Sequence, residues 1–443
     1  MKPAKTFARV LAASAAAASL LGLAACQEND NFDRSTQIGP NPTLPEPHQY
    51  LFPPMKIGTP VGWSQGQAPT VAKGLQIKAL ATDLRHPRSL LVLPNGDVLV
   101  AEPSGPPPEP VTRPKSIVLS WFLSAAHGKS SGANRITLLR DANGDGATEQ
   151  RTVFLDHQNS PFGMALVGGD LYVANTDAVM RFPYTEGQTK IDAAGTKLLD
   201  LPGGPINHHW TKSLTASADG KLLYAGVGSN SNVAENGMEA EKGRAAVWEI
   251  DRESGRARVF ASGLRNPNGL SIEPTTHALW AVINERDELG PNLVPDYMTS
   301  VREGAFYGWP YSYYGQHVDP RVMPPNPELV AKAIPPDFAL SSHVAPLGMA
   351  FVTDGPLAAM FGQGAFVGEH GSWDRDHFNG YKVIFVPFKD GKPSGPVKDV
   401  VTGFVNDKDQ VYGRPVGVAI DKTGALLIAD DVGDVVWRVT AGS

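Results

Sequence analysis

The sequence predicts an all-β fold, a six-bladed β-propeller, from three observations: a hairpin pattern that occurs six times, the distances between its copies, and a composition suited to turns. Each copy has a small residue, an apolar strand, a short turn-forming stretch that in most copies contains Asp-Gly, Asn-Gly or Gly-Gly, and a second apolar strand rich in small residues. The copies are SLLVLPNGDVLVAE from Ser89, GMALVGGDLYVAN from Gly163, SLTASADGKLLYAG from Ser213, GLSIEPTTHALWAV from Gly269, GMAFVTDGPLAAM from Gly348 and GVAIDKTGALLIAD from Gly417. Their first residues lie 74, 50, 56, 79 and 69 positions apart, room for a four-stranded blade with variable outer loops. With 46 glycines and 38 prolines in 443 residues, the chain favours many short strands over long helices. A lone hairpin cannot bury both its faces. Stacking hairpins radially as blades buries both and hides the strand edges.

In chain order, residues 1–25 read as a signal peptide: Lys2, Lys5 and Arg9 precede an apolar run from Val10 to Leu23, and Leu23-Ala24-Ala25-Cys26 forms a lipobox. The run is shorter than the roughly 20 residues that a permanent membrane span needs. Cys26 is the only cysteine, which excludes an intramolecular disulfide and a Cys-X-X-Cys-His haem site and points to lipidation. The expectation is an exported lipoprotein anchored by lipid at the periplasmic face of the envelope, with Gln27 suiting outer-membrane sorting. Residues 26–67, polar and proline-rich, are expected to be the lipidated cysteine and a tether, and 68–443 the catalytic propeller. Third and fourth blade strands fit AAVWEIDRES, YKVIFVPF and VVWRVT, and Leu75 to Leu80 is expected to complete the last blade and close the ring. Asp141 to Gly146 resembles the start of a calcium loop, but Thr152 stands where such a loop needs a bidentate Glu, and a hairpin turn is the simpler reading. Without its leader the chain carries 36 Lys+Arg against 45 Asp+Glu, a balance that points away from nucleic acid.

Just before each hairpin, where a propeller chain enters its innermost strand beside the axis, stands a long or polar side chain. In order these are His86 and Arg88, Gln158, His208 and His209, Arg265 and Asn266, His343, and Arg414. A converging ring of Arg, His, Asn and Gln suits a flat polyanion, because the guanidinium presents a planar fork to carboxylates and stays charged. Pyrroloquinoline quinone (PQQ), a planar tricarboxylate o-quinone, has that chemistry. Trp309, Tyr311, Tyr313 and Tyr314 could stack on a sugar or pack within a blade.

Four motifs carry a resemblance: LRNPNGL from Leu264, DEL from Asp287 with FYGWP from Phe306, NHHWTKSL around His209, and GEHGSWDR with GYKVIFVPF from Gly368. Over about Leu75 to Thr440 the chain resembles the PQQ-dependent glucose/sorbosone dehydrogenases, closest to the sorbosone branch. The resemblance implies oxidation of an aldose or sorbosone-type sugar, PQQ and calcium as cofactors, and an external electron acceptor. It places the catalytic base at His209, with His208 as its rival, and cofactor contacts at Gln158, His209, Arg265, Asn266 and Arg414. Arg375 is the candidate for a fifth-blade cation, with His370 and Lys382 as alternatives. Calcium would be held around Asn284, Glu285 and Arg286 by backbone carbonyls, with side-chain oxygen from Asn284 or Glu285. Three stretches depart from the family pattern: Trp210 to Ser213 where a Gly-Arg is usual, Glu285-Arg286 in place of Gly-Pro, and Val416 in place of a second arginine. A calcium-dependent propeller lactonase and a binding module that has lost the cofactor are the alternative readings.

Overall fold

A computed structural model describes residues 32–50, 53–107 and 131–442. The signal peptide and Cys26 lie outside the described residues. Ser35–Ser443 make one compact unit, in which six antiparallel sheets form the six blades of a propeller. From the axis outward, blade 1 is Ser89–Val92, Val98–Glu102, Arg135–Arg140 and Gln150–Leu155. Blade 2 is Gly163–Val167, Asp170–Ala174, Ala178–Pro183 and Thr196–Asp200. Blade 3 is Lys212–Ala216, Leu222–Val227, Ala246–Asp251 and Ala257–Ser262. Blade 4 is Pro267–Ile272, Leu279–Ile283, Pro295–Ser300 and Phe338–Ser342. Blade 5 is Pro346–Val352, Gly364–Glu369, Lys382–Lys389 and Lys398–Thr402. Blade 6 takes Pro415–Ile420, Leu426–Asp430 and Val435–Ala441 from the C-terminus. Its outer strand is Leu75–Ala81, paired from Ala441↔Leu75 to Val436↔Ala81, so the ring closes as expected.

Second strands such as Val98-Leu99-Val100-Ala101 are continuous apolar runs because both faces of a blade are covered. Side chains alternate between faces, so Leu99 and Ala101 join the core shared with blade 2, while Val98 and Val100 join the core shared with blade 6. Each pair of neighbouring blades shares one such core. The small residue that opens each hairpin has a radial role. A Cβ on Gly348 would lie 2.4 Å from the Val416 carbonyl oxygen, and one on Gly417 would lie 2.6 Å from that of Arg88. These glycines let the innermost strand of one blade rest on the backbone of the next. Gly417 N donates to Arg88 O at 2.9 Å, joining blade 6 to blade 1 at the axis.

Two expectations need correction. In the fifth copy, Gly355–Phe361 is a helix rather than a strand, and the second strand is Gly364–Glu369. Pro356 in the first turn suits a helix start, and Leu357 and Phe361, four apart on one helix face, are buried in the core between blades 5 and 6. The segment expected as a tether is, from residue 35 onward and where described, laid on the propeller. Ile38–Gly39 pairs with Leu340 and Ala339 as a fifth strand on blade 4. Thr59–Pro60 pairs in parallel with Gln410–Val411, and just past the expected tether Thr70–Val71 extends blade 5 beside Val401 and Thr402. Trp63 packs on Tyr412, Phe404 and Trp437 and donates from Nε1 to Asp430 Oδ2 at 2.7 Å. Short pairings of this kind need no sequence periodicity, so the proline-rich composition concealed them. They also cover strand edges that would otherwise be open.

The Asp141 segment is the connection between the third and fourth strands of blade 1. Asp141 accepts from Gly144 N and Gly146 N at 2.8 and 2.6 Å, turn bonds of a common Asx kind. Trp309, Tyr313 and Tyr314 are buried, the two tyrosines in the core between blades 3 and 4, so these three pack the blade.

Candidate active site

The hairpin register decides which residues meet at the axis. Pairings such as Ser89↔Ala101, Gly163↔Ala174, Lys212↔Val227 and Pro415↔Asp430 bring the start of each innermost strand level with the end of the second strand. Each blade therefore offers two segments to one axial mouth, the lead-in to its first strand and the connection after its second. Phe162, Leu347 and Val416, each one residue ahead of a hairpin glycine, form a buried apolar cluster beneath the polar lead-ins. Val416 is fully buried there, which accounts for an apolar residue where the resemblance led to an arginine. Below it, an axial cavity of about 90 Å³ is lined by the small residues Ser89, Gly163, Ser213, Gly269, Gly348 and Gly417.

On the side of blades 3 to 5, His209 is half-buried, with Nδ1 3.0 Å from Ser229 O and 2.9 Å from Ser229 Oγ. Ser229 Oγ itself donates to Ser231 O at 2.6 Å, so it accepts from the ring. Nδ1 is thus the protonated nitrogen, and Nε2 carries the lone pair. Burial, then the charges of Arg265 and His208, hold the His209 imidazole well below its ordinary pKa and keep it neutral. Its neighbour His208 is exposed, and the two rings meet edge to face at 4.7 Å.

Arg265, buried, donates to Glu285 O at 2.6 Å, Asn284 O at 3.3 Å, Asn232 Oδ1 at 3.0 Å and Asp287 Oδ2 at 3.0 Å. It binds the blade 4 connection to the rim. Asn266 is buried beside His209: both would be struck at 2.4 Å by a Cβ on Gly228. Asn266 Oδ1 has no hydrogen-bond partner among the described residues. His343 Nδ1 lies 3.4 Å from Asp287 Oδ1, and its Nε2 lies 3.1 Å from Gly290 O. Asp374 is fully buried, accepts from Glu288 N at 2.6 Å through Oδ2, and leaves Oδ1 without a partner. Burial raises its pKa to about 6, whereas Asp287, beside Arg265 and His343, is lowered to about 2.

Across the mouth, Asp431 is the hub of blades 5, 6 and 1. It receives Arg88 Nη1 at 2.5 Å and His370 Nε2 at 3.0 Å, with His86 Nε2 at 3.4 Å. Its carboxyl is held well below the usual range by His370 and Arg88, against the opposing effect of burial. Burial pushes His370 down to about 4. Arg414 lies over the Tyr381 ring and donates to its hydroxyl at 2.9 Å. The Nε–H groups of Arg88 and Arg414 are both buried with no acceptor among the described residues. On blade 2, Gln158 is half-buried, donating to Asp156 O at 2.9 Å and accepting from Asn175 Nδ2 at 3.4 Å.

Of the residues expected at the site, His209, Arg265 and Asn266 come together, and Arg414 stands on the opposite rim. Arg375 departs from expectation. It is fully buried against Ser342 O, Asn292 Oδ1 and His377 Nε2 at the outer strand of blade 4, and His370 is the fifth-blade residue at the mouth. Lys382 is turned to Asp399 at 2.7 Å. The three positions considered for calcium are otherwise engaged. Asn284 Nδ2 donates to Pro346 O at 3.1 Å, the carboxyl of Glu285 is buried with its pKa raised to about 7, and Arg286 is buried in an ion pair with Asp319. The carboxylates Asp287, Asp374 and Asp431 were missed as a group, together with Ser229. All lie in the connections after second strands, at distances from the strand that differ from blade to blade.

Fold and mouth together define a closed apolar ring with its ionisable groups gathered at one end of the axis. Residues 127–303 and 328–441 match the TrAA12-like family, and the chain belongs to it. A PQQ-dependent sugar dehydrogenase of Hypocrea jecorina is 21% identical over 418 residues, covering 82% of this chain and 87% of that protein. An uncharacterised protein of Borreliella burgdorferi is 27% identical over 247 residues, and an aldose sugar dehydrogenase of Escherichia coli 34% over 102. The matched stretches cover 54% and 23% of this chain and span only 62% and 26% of those two relatives. Among solved structures, the holo PQQ domain of the Coprinopsis cinerea pyranose dehydrogenase superposes with a TM-score of 0.67 at 19% identity, covering 87% of this chain and all of that one. The calcium structure of the Trichoderma reesei AA12 enzyme gives 0.68 at 18%, covering 88% and 99%. At such identities the likeness is one of fold. The resemblance to PQQ-dependent sugar dehydrogenases read from the motifs is borne out at the level of family.

Proposed function

We propose that the protein is a PQQ-dependent oxidoreductase that oxidises a sugar hydroxyl, of aldose or sorbosone type, and passes the electrons to an external acceptor. The observation that carries this reading is the His209 imidazole, neutral, oriented through Nδ1 by Ser229, with Nε2 available at the mouth of a propeller of this family. PQQ fits the donor set: the buried Nε–H groups of Arg88 and Arg414 lack acceptors, and carboxylates would supply them. Bound there, PQQ would supply the acceptor for the hydride that leaves the sugar carbon. His209 Nε2 would take the hydroxyl proton, while Ser229 holds the ring in the one tautomer able to do so. Asn266, beside His209, offers its amide to orient whatever lies against the imidazole. A calcium ion around residues 284–286 fits poorly, since the Arg265 guanidinium already occupies the carbonyl oxygens of Asn284 and Glu285. An exported, lipid-anchored location is part of the same proposal and rests on the lipobox at Cys26.

The test is reconstitution. PQQ added to the apo-protein should stabilise it by about 2.7 kcal/mol at a hundredfold excess over Kd, seen as a rise in melting temperature, and should restore sugar-dependent dye reduction. Arg414→Ala should reduce that stabilisation. A wild-type protein whose melting temperature does not move with saturating PQQ would overturn the reading.

A further inference from the structure

We infer that Asp287, His343 and Asp374 form a binding site for a divalent cation of the zinc or first-row transition series at the axial mouth. One ligand atom from each of the three lies within 4.8 Å of the others, a spacing that a single ion can bridge. The residues come from different segments: Asp287 from the connection after the second strand of blade 4, His343 from the lead-in to blade 5, and Asp374 from the connection after the second strand of blade 5. His343 and Asp374 are buried, and Asp287 is about one quarter exposed, on the side open to the mouth.

Three further features separate the cluster from a chance gathering of acids. The His343 Nε2–H is directed to Gly290 O at 3.1 Å, and Nδ1 faces Asp287 Oδ1 at 3.4 Å, where a bound cation would take the place of the Nδ1 proton that otherwise pairs with the carboxylate. A ring nitrogen fixed in this way by a backbone carbonyl is the usual orienting arrangement of a metal-binding histidine. Asp374 Oδ1, in a fully buried carboxylate, has no hydrogen-bond partner among the described residues, although its other oxygen is anchored by Glu288 N. An acceptor buried without a donor is costly, and a cation removes the cost. Asp287 is held from behind by Asn232, which accepts from its backbone N at 2.9 Å, and by Arg265 on Oδ2. Each ligand therefore has a supporting contact.

One imidazole nitrogen with two carboxylates favours zinc, manganese or iron(II) over calcium, which prefers an all-oxygen shell. Three protein ligands leave positions for water or for a ligand in the mouth, beside Arg265. The site goes beyond the proposed sugar oxidation, and binding can be measured without PQQ or substrate, so failure of one reading is distinguishable from failure of the other.

Chelator-stripped protein is titrated with Mn²⁺, Zn²⁺ and Ca²⁺ by calorimetry, and the Mn²⁺ complex is examined by pulsed EPR. The expectation is one equivalent of Mn²⁺ or Zn²⁺, at least tenfold tighter than Ca²⁺, with a nitrogen coupling from one imidazole. Asp374→Asn and His343→Gln should weaken binding by tenfold or more, and the nitrogen coupling should vanish in His343→Gln. The wild-type EPR signature keeps the test decisive should a variant fold poorly. No bound Mn²⁺ or Zn²⁺, a bound Mn²⁺ without nitrogen coupling, or Ca²⁺ binding as tightly as both would each overturn the assignment.

Discussion

At the residue scale, His209 shows how position and environment combine. Its place at the mouth, shared with His208, was readable because the lead-in pattern is tied to a repeated strand, and the choice between the two came from the family resemblance. Its environment was not, since Ser229, Arg265 and Asn266 approach from two blades. The consequence is a pH profile. Burial and the nearby Arg265 charge lower the imidazole pKa below its usual value near 6.5. A lowered histidine pKa means that the neutral, proton-accepting form persists as pH falls through 6.5. The rate of cofactor reduction by sugar should therefore stay level from pH 8 to about 6.5 and fall only in more acid solution. His209→Gln should lower that rate about a hundredfold or more, whereas exposed His208→Gln should change it little. Stopped-flow traces of the two variants decide this, and equal losses in both would remove His209 from the role of base. The carboxylates of the rim were harder to read. The connections after second strands differ in length and composition, and nothing periodic marks Asp287, Asp374 or Asp431. Arg375 misled because it stands close in sequence to His370, yet the intervening turn carries it to the outer strand of blade 4.

At the scale of elements, the hairpins were legible because two apolar strands and a turn are local features, and five of the six copies have the expected form. The fifth did not, because Gly-Pro followed by Leu-Ala-Ala-Met fits a helix start as well as a turn and strand, and burial of Leu357 and Phe361 decides for the helix. The segment before the blades was misread for a different reason: its two-residue pairings carry no pattern, and its anchor is a single aromatic residue. Trp63 joins three aromatic rings and the buried carboxyl of Asp430, whose pKa is raised to about 7. Trp63→Ala should cost about 3 kcal/mol, typical of an aromatic deleted from a packed site, and should make residues 53–71 more susceptible to proteolysis than the blades. Denaturant unfolding with limited proteolysis would show it, and an unchanged midpoint would mean that the strap contributes nothing to stability.

At the scale of the whole molecule, the number of blades and the closing strand were legible, because six copies with one strand missing at the C-terminus leave a single arrangement that completes the ring. Residues 1–31 lie outside the described structure, and their proposed role as leader and anchor has its own test. Wild-type protein should partition with membranes through acyl chains on Cys26, and Cys26→Ser should release it to the soluble fraction. Membrane retention of the variant after a salt wash would exclude the anchor.

The pairing of Leu75–Ala81 with Val435–Ala441 also bears on the order of events in the life of the chain. The outer strand of this sheet is made about 350 residues before its neighbour, so an early strand waits for the last one of the propeller. Until then the ring is an open arc with an unsatisfied edge at each end, and bringing those ends together requires closing a loop that contains almost the entire propeller. A chain stopped anywhere short of its final strand would keep both edges exposed to proteases and to other chains. Completion of the ring thus acts as a check on the last blade: only a chain that includes Val435–Ala441 reaches the sealed state.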